Sequence, residues 1–184
     1  TGSDLIISEV ADPSDNWEQG RFVELYNAGG SSIDLAAGTW TLARQANGGS
    51  WGSLALTGTV APGETYVIAN TADFGLAYPA APAGTPHQIS GLITGNGDDG
   101  YYMYSGGDNV SGTLEDAYGV IDEDGSGMAW EYTDSRAVRA TEVTAGNPVW
   151  TAGEWTIASA GVADMTPGVH PDGAAVLAVI FDKT

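Results

Sequence analysis

The residues best suited by type and spacing to do chemistry are acidic and sit where loops are expected. Asp122, Glu123, Asp124, Gly125 and Ser126 run together, with Glu115, Asp116 and Glu131 close enough in sequence to join them. Carboxylate, carbonyl and hydroxyl oxygens on a flexible loop are hard ligands, and calcium takes about six to eight of them. Calcium is therefore the cofactor to expect. The spacing is not that of a helix–loop–helix site: counted from Asp122, Gly125 falls fourth and Glu131 tenth, where that motif wants glycine sixth and glutamate twelfth. A solvated Asp-Gly turn between two strands accounts for the same residues. A second set combines Asn96, Asp98 and Asp99 with Asp108 and Asn109, and a third is Asp12, Asp15 and Asn16 in ADPSDNW. Asn and Asp side chains also cap their own backbone in turns, so ligation and turn chemistry both stay open for each set.

Other chemistries find less support. Only His87 and His170 could act as bases at neutral pH, and each adjoins a proline. There is no cysteine and no G-x-S-x-G elbow to supply a nucleophile. GNGDDG is followed by a strand-like run, not the helix a phosphate or dinucleotide loop requires. The chain thus reads as a non-enzyme. A carboxylate-based hydrolase is the remaining catalytic alternative, since the separation of two acids cannot be seen in a sequence. Of six tryptophans, Trp40 and Trp155 lie in strand-like runs suited to a core, whereas Trp17 and Trp51 have polar or small neighbours. Those two are the rings to expect in a sugar-stacking face, which makes a carbohydrate-binding module the second reading. Arg139 is expected to hold a partly buried carboxylate, either Glu24 or Asp116.

Charge narrows the partners. The sequence has 24 acidic residues against five Lys and Arg, a net charge of −19. Affinity for nucleic acid comes mainly from cations neutralising phosphates, so direct binding to DNA or RNA is disfavoured. A protein or glycan partner fits better. Without cysteine, neither a disulfide frame nor a thiolate metal site can form. No apolar run reaches the roughly 18 residues of a membrane-spanning helix, so no membrane insertion is expected. The longest such run, Ala174 to Phe181, has the length of a strand.

The elements that must position these residues are short strands. Phe22, Glu24 and Tyr26 alternate with Val23 and Leu25, which sets Glu24 between two aromatics on one strand face. Further strands are expected near Trp40 to Leu42, Leu54 to Leu56, Tyr66 to Asn70, Tyr101 to Tyr104, Glu115 to Ile121 and Thr156 to Ala158. Pro62-Gly63, Asn96-Gly97, Gly106-Gly107, Asp124-Gly125 and Pro167-Gly168 separate them as turns. Leu76 to Ala83 and Ser135 to Val143 have room for no more than a helical turn or two, and YPAAPAGTP over 78–86 reads as an extended surface loop. The expectation is an all-β sandwich with long Gly/Pro/Asp-rich loops.

The order DLIISEV, RFVELYN, SSIDLAAGTWTL and APGETYVIAN resembles the front half of a lamin tail domain. GNGDDGYYMY, EDAYGVIDEDGSGMAWEYTDSRAVR and EWTIASAGVADMTPGVHP resemble the rest of the type found in secreted bacterial nucleases, phosphatases and surface proteins. The resemblance spans roughly residues 4 to 171 and is specific as a set, weak in any single piece. It implies an immunoglobulin-like β-sandwich acting as a non-catalytic interaction or attachment module, extracellular or at a bacterial cell surface, in a larger protein whose catalysis lies elsewhere. Residues 1–3 are then a cloning remnant, 4–172 the sandwich, and 173–184 a C-terminal strand or linker.

Overall fold

The computed structural model describes residues 2–170. The expected C-terminal strand or linker over 173–184 lies outside the described residues. β1 (Leu5–Asp12) leads through one helical turn, α1 (Trp17–Gly20), into β2 (Phe22–Asn27), followed by β3 (Ile33–Asp34), β4 (Thr41–Gln45), β5 (Trp51–Ala55), β6 (Thr59–Val60) and β7 (Thr65–Ala69). A crossover containing α2 (Phe74–Ala77) reaches β8 (Gln88–Ile89). Then come β9 (Gly100–Ser105), β10 (Thr113–Tyr118), β11 (Ser135–Arg139) and β12 (Trp155–Ser159).

The strands form an immunoglobulin-like sandwich. One sheet has the order β12-β11-β1-β2-β7-β8, the other β10-β9-β4-β5, and β3-β6 form a small ribbon. Every pairing is antiparallel except β7 with the two residues of β8. Between the sheets Leu5, Ile7, Val23, Leu25, Ile68, Tyr101, Met103, Tyr118, Trp130 and Trp155 form the main core. Alternation along each strand puts the intervening residues on the outer faces.

Both outer faces are covered in part. Ala11, Phe22, Val67 and Ala69 on the six-stranded sheet pack beneath Phe74 and Tyr78 of the crossover and beneath Ala160 and Met165. The segment 160–170 is a strap laid across this face, so every residue of β1 and β2 is buried. On the other sheet, Ala43, Tyr102, Tyr104 and Ala117 pack with Trp51 and Leu114.

The sequence expectations need one correction in the second half. Ser135 to Val143 contains no helix: Ser135–Arg139 is strand β11, hydrogen-bonded between β1 and β12, and a single turn closes from the Val143 N–H to the Ala140 carbonyl. Its SRAVR sequence carries one arginine on each face, so no apolar stripe is visible before the partners of those arginines are known. The other expected turn is α2, which begins earlier, at Phe74, and the chain beyond it follows irregular turns. Ser3, assigned to a remnant, accepts through its carbonyl from the Gly146 N–H at 2.7 Å.

Candidate functional site

The outer face of the six-stranded sheet holds two buried acids side by side. Glu9 on β1 and Glu24 on β2 are direct cross-strand partners, only 2% and 1% exposed. Both have apolar neighbours in sequence on at least one side, in SEV and VEL, and the strap seals them from water. Arg136 on β11 reaches Glu9 with Nε at 3.0 Å and also donates to the carbonyl of Asp164 on the strap. Thr166 donates its hydroxyl to Glu9 at 2.8 Å, and the Gly168 N–H donates to Glu24 Oε2 at 2.7 Å. Gly168 has φ +84°, and a Cβ there would stand 2.9 Å from Pro82, so glycine is what lets the strap approach so closely. Beyond it His170 stacks on Tyr26 at 3.9 Å.

The two acids differ in charge balance. Burial raises the Glu9 carboxyl above its ordinary value, with the Arg136 guanidinium acting against the shift. Burial pushes Glu24 up to about 8, and the neighbouring Glu9 charge adds to the effect. Glu24 is thus largely a neutral acid at pH 7. In that form its O–H can donate to Ser8 Oγ at 2.8 Å, leaving the serine hydrogen for the Glu24 carbonyl at 3.2 Å. With Gly168 on the other oxygen, each polar atom of the side chain has a partner.

A second buried set lies between the sheets at their β10–β11 side. Arg139, fully buried, approaches Asp116 with both terminal nitrogens at 3.2 Å and Glu154 at 2.8 Å, and its guanidinium lies 4.7 Å from the Trp155 ring. Glu24 is not its partner; it faces away from Arg139, under the strap. Asp116 also accepts from the Ile7 N–H at 2.7 Å and the Asn147 N–H at 2.8 Å. Ile7 flanks a bulge in the β1–β2 ladder, and Asp116 one in β9–β10. One carboxylate therefore satisfies backbone freed by irregular pairing and joins the two sheets. Burial raises its pKa, against the opposing pull of Arg139.

The loops holding Asp12 and Asp15, Asp98 and Asp99, and Asp122 to Ser126 lie at one end of the sandwich. Asp108 and Asn109 lie at the other, the length of β9 away from Asp98 and Asp99, so the expected second set is not brought together. In both places the oxygens serve the loops themselves. Asp122 exchanges two bonds with Gln45, and Asp124 accepts from the Ser126 N–H. Asp98 meets Ser126, Asp99 accepts from the Asn47 N–H and lies 3.5 Å from Arg44, and Glu123 accepts from the Trp130 indole. Glu131 accepts from the Gly127 N–H, Glu115 is bonded to Ser105, and Asp108 caps the Val110 and Ser111 amides. Asp12 holds Arg21 at 2.7 Å, while Asp15 accepts from the Val162 N–H of the strap. Among the described residues no three Asp, Glu or His side chains come together as a metal ion would require.

A family model for the Lamin Tail Domain matches residues 1–124 of this architecture. The chain belongs to the lamin tail domain family. A crystal structure of a DUF4876 family protein from Bacteroides thetaiotaomicron is similar with a TM-score of 0.49 and 13% identity, over 92% of this chain and 72% of that one. No curated protein matches the sequence. In this lamin tail domain the W-E-Y segment is core: Trp130 and Tyr132 pack edge-on against Tyr118, as does Trp155.

The two tryptophans expected to stack on sugars do not share a face. Trp17 on α1 is 52% exposed, with the Arg21 guanidinium 5.0 Å over its ring. Trp51 belongs to the four-stranded sheet and is half-buried against Tyr102. The two histidines lie on one hollow, between Thr85 and Gly168, but the His87 ring nitrogen accepts from the Val67 N–H and His170 is buried in its stack. Sequence reasoning missed Glu9, Arg136, Thr166 and Gly168. The available signal was an acid enclosed by β-branched and aliphatic residues, in ISEV and again in VELY, which only burial against a partner explains.

Proposed function

We propose that this lamin tail domain is a non-catalytic attachment module of a secreted bacterial protein, holding a protein partner while chemistry is done elsewhere. One observation carries the reading: two buried carboxylate constellations are sealed inside the fold, Glu9 and Glu24 under the strap and Asp116 with Arg139 between the sheets. A catalytic acid pair needs a cleft in which substrate can reach both groups; here every oxygen of these acids is taken up by a hydrogen-bond partner within the protein. Family membership supports the same conclusion. Among the described residues no helix is long and apolar enough to cross a membrane, and placement outside the cell rests on the family resemblance.

The test is to offer the purified chain bis-p-nitrophenyl phosphate and a panel of p-nitrophenyl glycosides at pH 5 to 9. The expected result is turnover no faster than buffer alone. Hydrolysis that disappears in Glu24→Gln would replace the attachment reading with a hydrolase. Retardation in native gels cast with soluble polysaccharide, abolished by Trp17→Ala, would favour glycan over protein as the partner.

A further inference from the structure

An outer strand presents a row of unpaired N–H and C=O groups, and folded chains guard such rows with charges, prolines, bulges, covering loops or very short strands. Among the described residues, three of the four edges of the two main sheets are guarded. Along β10 the Ala117 N–H donates to the Asn147 carbonyl, and Gly146 lies so close that a Cβ would stand 2.5 Å from the Glu115 carbonyl oxygen. On β5 the Ala55 carbonyl accepts from the Gln88 side-chain amide, and Leu92 stands 2.8 Å from where a Gly52 Cβ would be. β8 is only two residues long. β12 has none of these devices: WTIAS carries no charge and no proline, and its ladder to β11 runs without a register shift.

The ladder shows which groups of β12 are spare. The Ala160 N–H donates to the Asp134 carbonyl and the Ala140 N–H to the Glu154 carbonyl, so the hydrogen-bonded pairs between them are Arg136 with Ala158 and Val138 with Thr156. Trp155, Ile157 and Ser159 therefore turn their backbone groups away from β11. The Trp155 N–H goes to the Ala152 carbonyl. The Trp155 carbonyl and both groups of Ile157 and Ser159 have no partner among the described residues. Beside this row Ile157 and Trp150 are only partly buried against the main core, and Thr156, Ala158 and Ser159 are exposed. We propose that the free edge of β12 is where the attachment partner binds, as an extended strand added to the six-stranded sheet, with a β-branched residue opposite Ile157 and lysine or arginine at its ends. The inference rests on the attachment reading and names the surface it uses. An extended backbone matches groups spaced two residues apart, and an apolar residue over Ile157 extends the core. The net charge of −19 favours a cationic strand and sets a second copy of this chain against itself.

The probe is a synthetic peptide of alternating threonine and valine with a lysine at each end, titrated to millimolar concentration into the isotope-labelled chain and followed by amide NMR. Saturable shifts should centre on Ile157 and Ser159, with slower hydrogen exchange at those two N–H groups. The same peptide N-methylated at its valines offers no N–H opposite Ile157 and should bind several-fold more weakly. Ile157→Pro should do likewise, because it removes an outward N–H and leaves the bonds to β11 in place; if that variant does not fold, the methylated peptide decides. Glutamate in place of both lysines should also weaken binding several-fold at low salt. Shifts centred elsewhere, no shift, or equal binding by the methylated or glutamate-ended peptide would overturn the proposal. Self-association that Ile157→Pro abolishes would assign the edge to a second copy instead. Loss of the shifts creates no hydrolysis and so leaves the non-catalytic reading standing, whereas Glu24-dependent hydrolysis would sink that reading without moving the shifts.

Discussion

Glu24 is held neutral by what surrounds it, not by a lost partner. Removal from water costs the charged form most and Glu9 adds like-charge repulsion, which together outweigh the Ser8 and Gly168 hydrogen bonds and the Arg136 charge that favour the carboxylate. A carboxyl whose folded pKa is raised from 4.5 to about 8 binds its proton more tightly in the folded chain. Its contribution to stability is complete below pH about 4.5 and is lost as pH climbs towards 8. Glutamine can make the same contacts without ionising, its amide donating to Ser8 and its oxygen accepting from Gly168. Glu24→Gln should therefore match the native protein near pH 4.5 and exceed it at pH 8. The fall of the melting temperature between those values should be shallower but not absent, because Glu9 and Asp116 shift in the same direction. A variant retaining the whole native slope would remove Glu24 from the account.

At the scale of elements, the junction of β1, β10 and β11 depends on one ion pair. Arg139→Ala would leave Asp116 buried without its counter-charge, for which about 3–5 kcal/mol is typical. Urea unfolding at pH 7 should show that loss, whereas Arg44→Ala, whose 3.5 Å pair with Asp99 is more open to water, should cost no more than about 1 kcal/mol. Equal effects would mean that Arg139 is not special. Sequence and structure agree best where burial is one-sided or uniform. The runs at 5–12, 22–27 and 100–105 read as strands because their apolar residues fall in strand-length blocks ended by turn formers. β11 did not, since Arg136 goes to the strap and Arg139 to the core. Residue chemistry alone already offered Asp116 as one of two partners for Arg139. The strap was the least legible element: GVADMTPGVH has neither period, and its role emerges only when Thr166 and Gly168 meet acids more than 140 positions earlier.

For the whole molecule, a net charge of −19 means that compactness is opposed by self-repulsion, which ions screen over about 8 Å at 0.15 M salt. The melting temperature should rise between roughly 10 mM and 150 mM sodium chloride. Calcium chloride matched in ionic strength should give the same curve, because the loop carboxylates already cap amides and pair with arginines. An added rise of several degrees with calcium, reversed by a chelator, would show that those loops rearrange into a site.

The strap has one more effect. The Thr166–Glu9 and Gly168–Glu24 bonds span 157 and 144 positions. A chain made from its N-terminus must be extended past Gly168 before both can form. Until then both acids stand in water, where Glu24 is ionised at neutral pH. Seating the strap is accordingly the step that draws a hydrogen ion from the medium. The heat absorbed on unfolding at pH 7 will carry the ionisation enthalpy of the buffer, so phosphate and Tris will report different values for the same molecule.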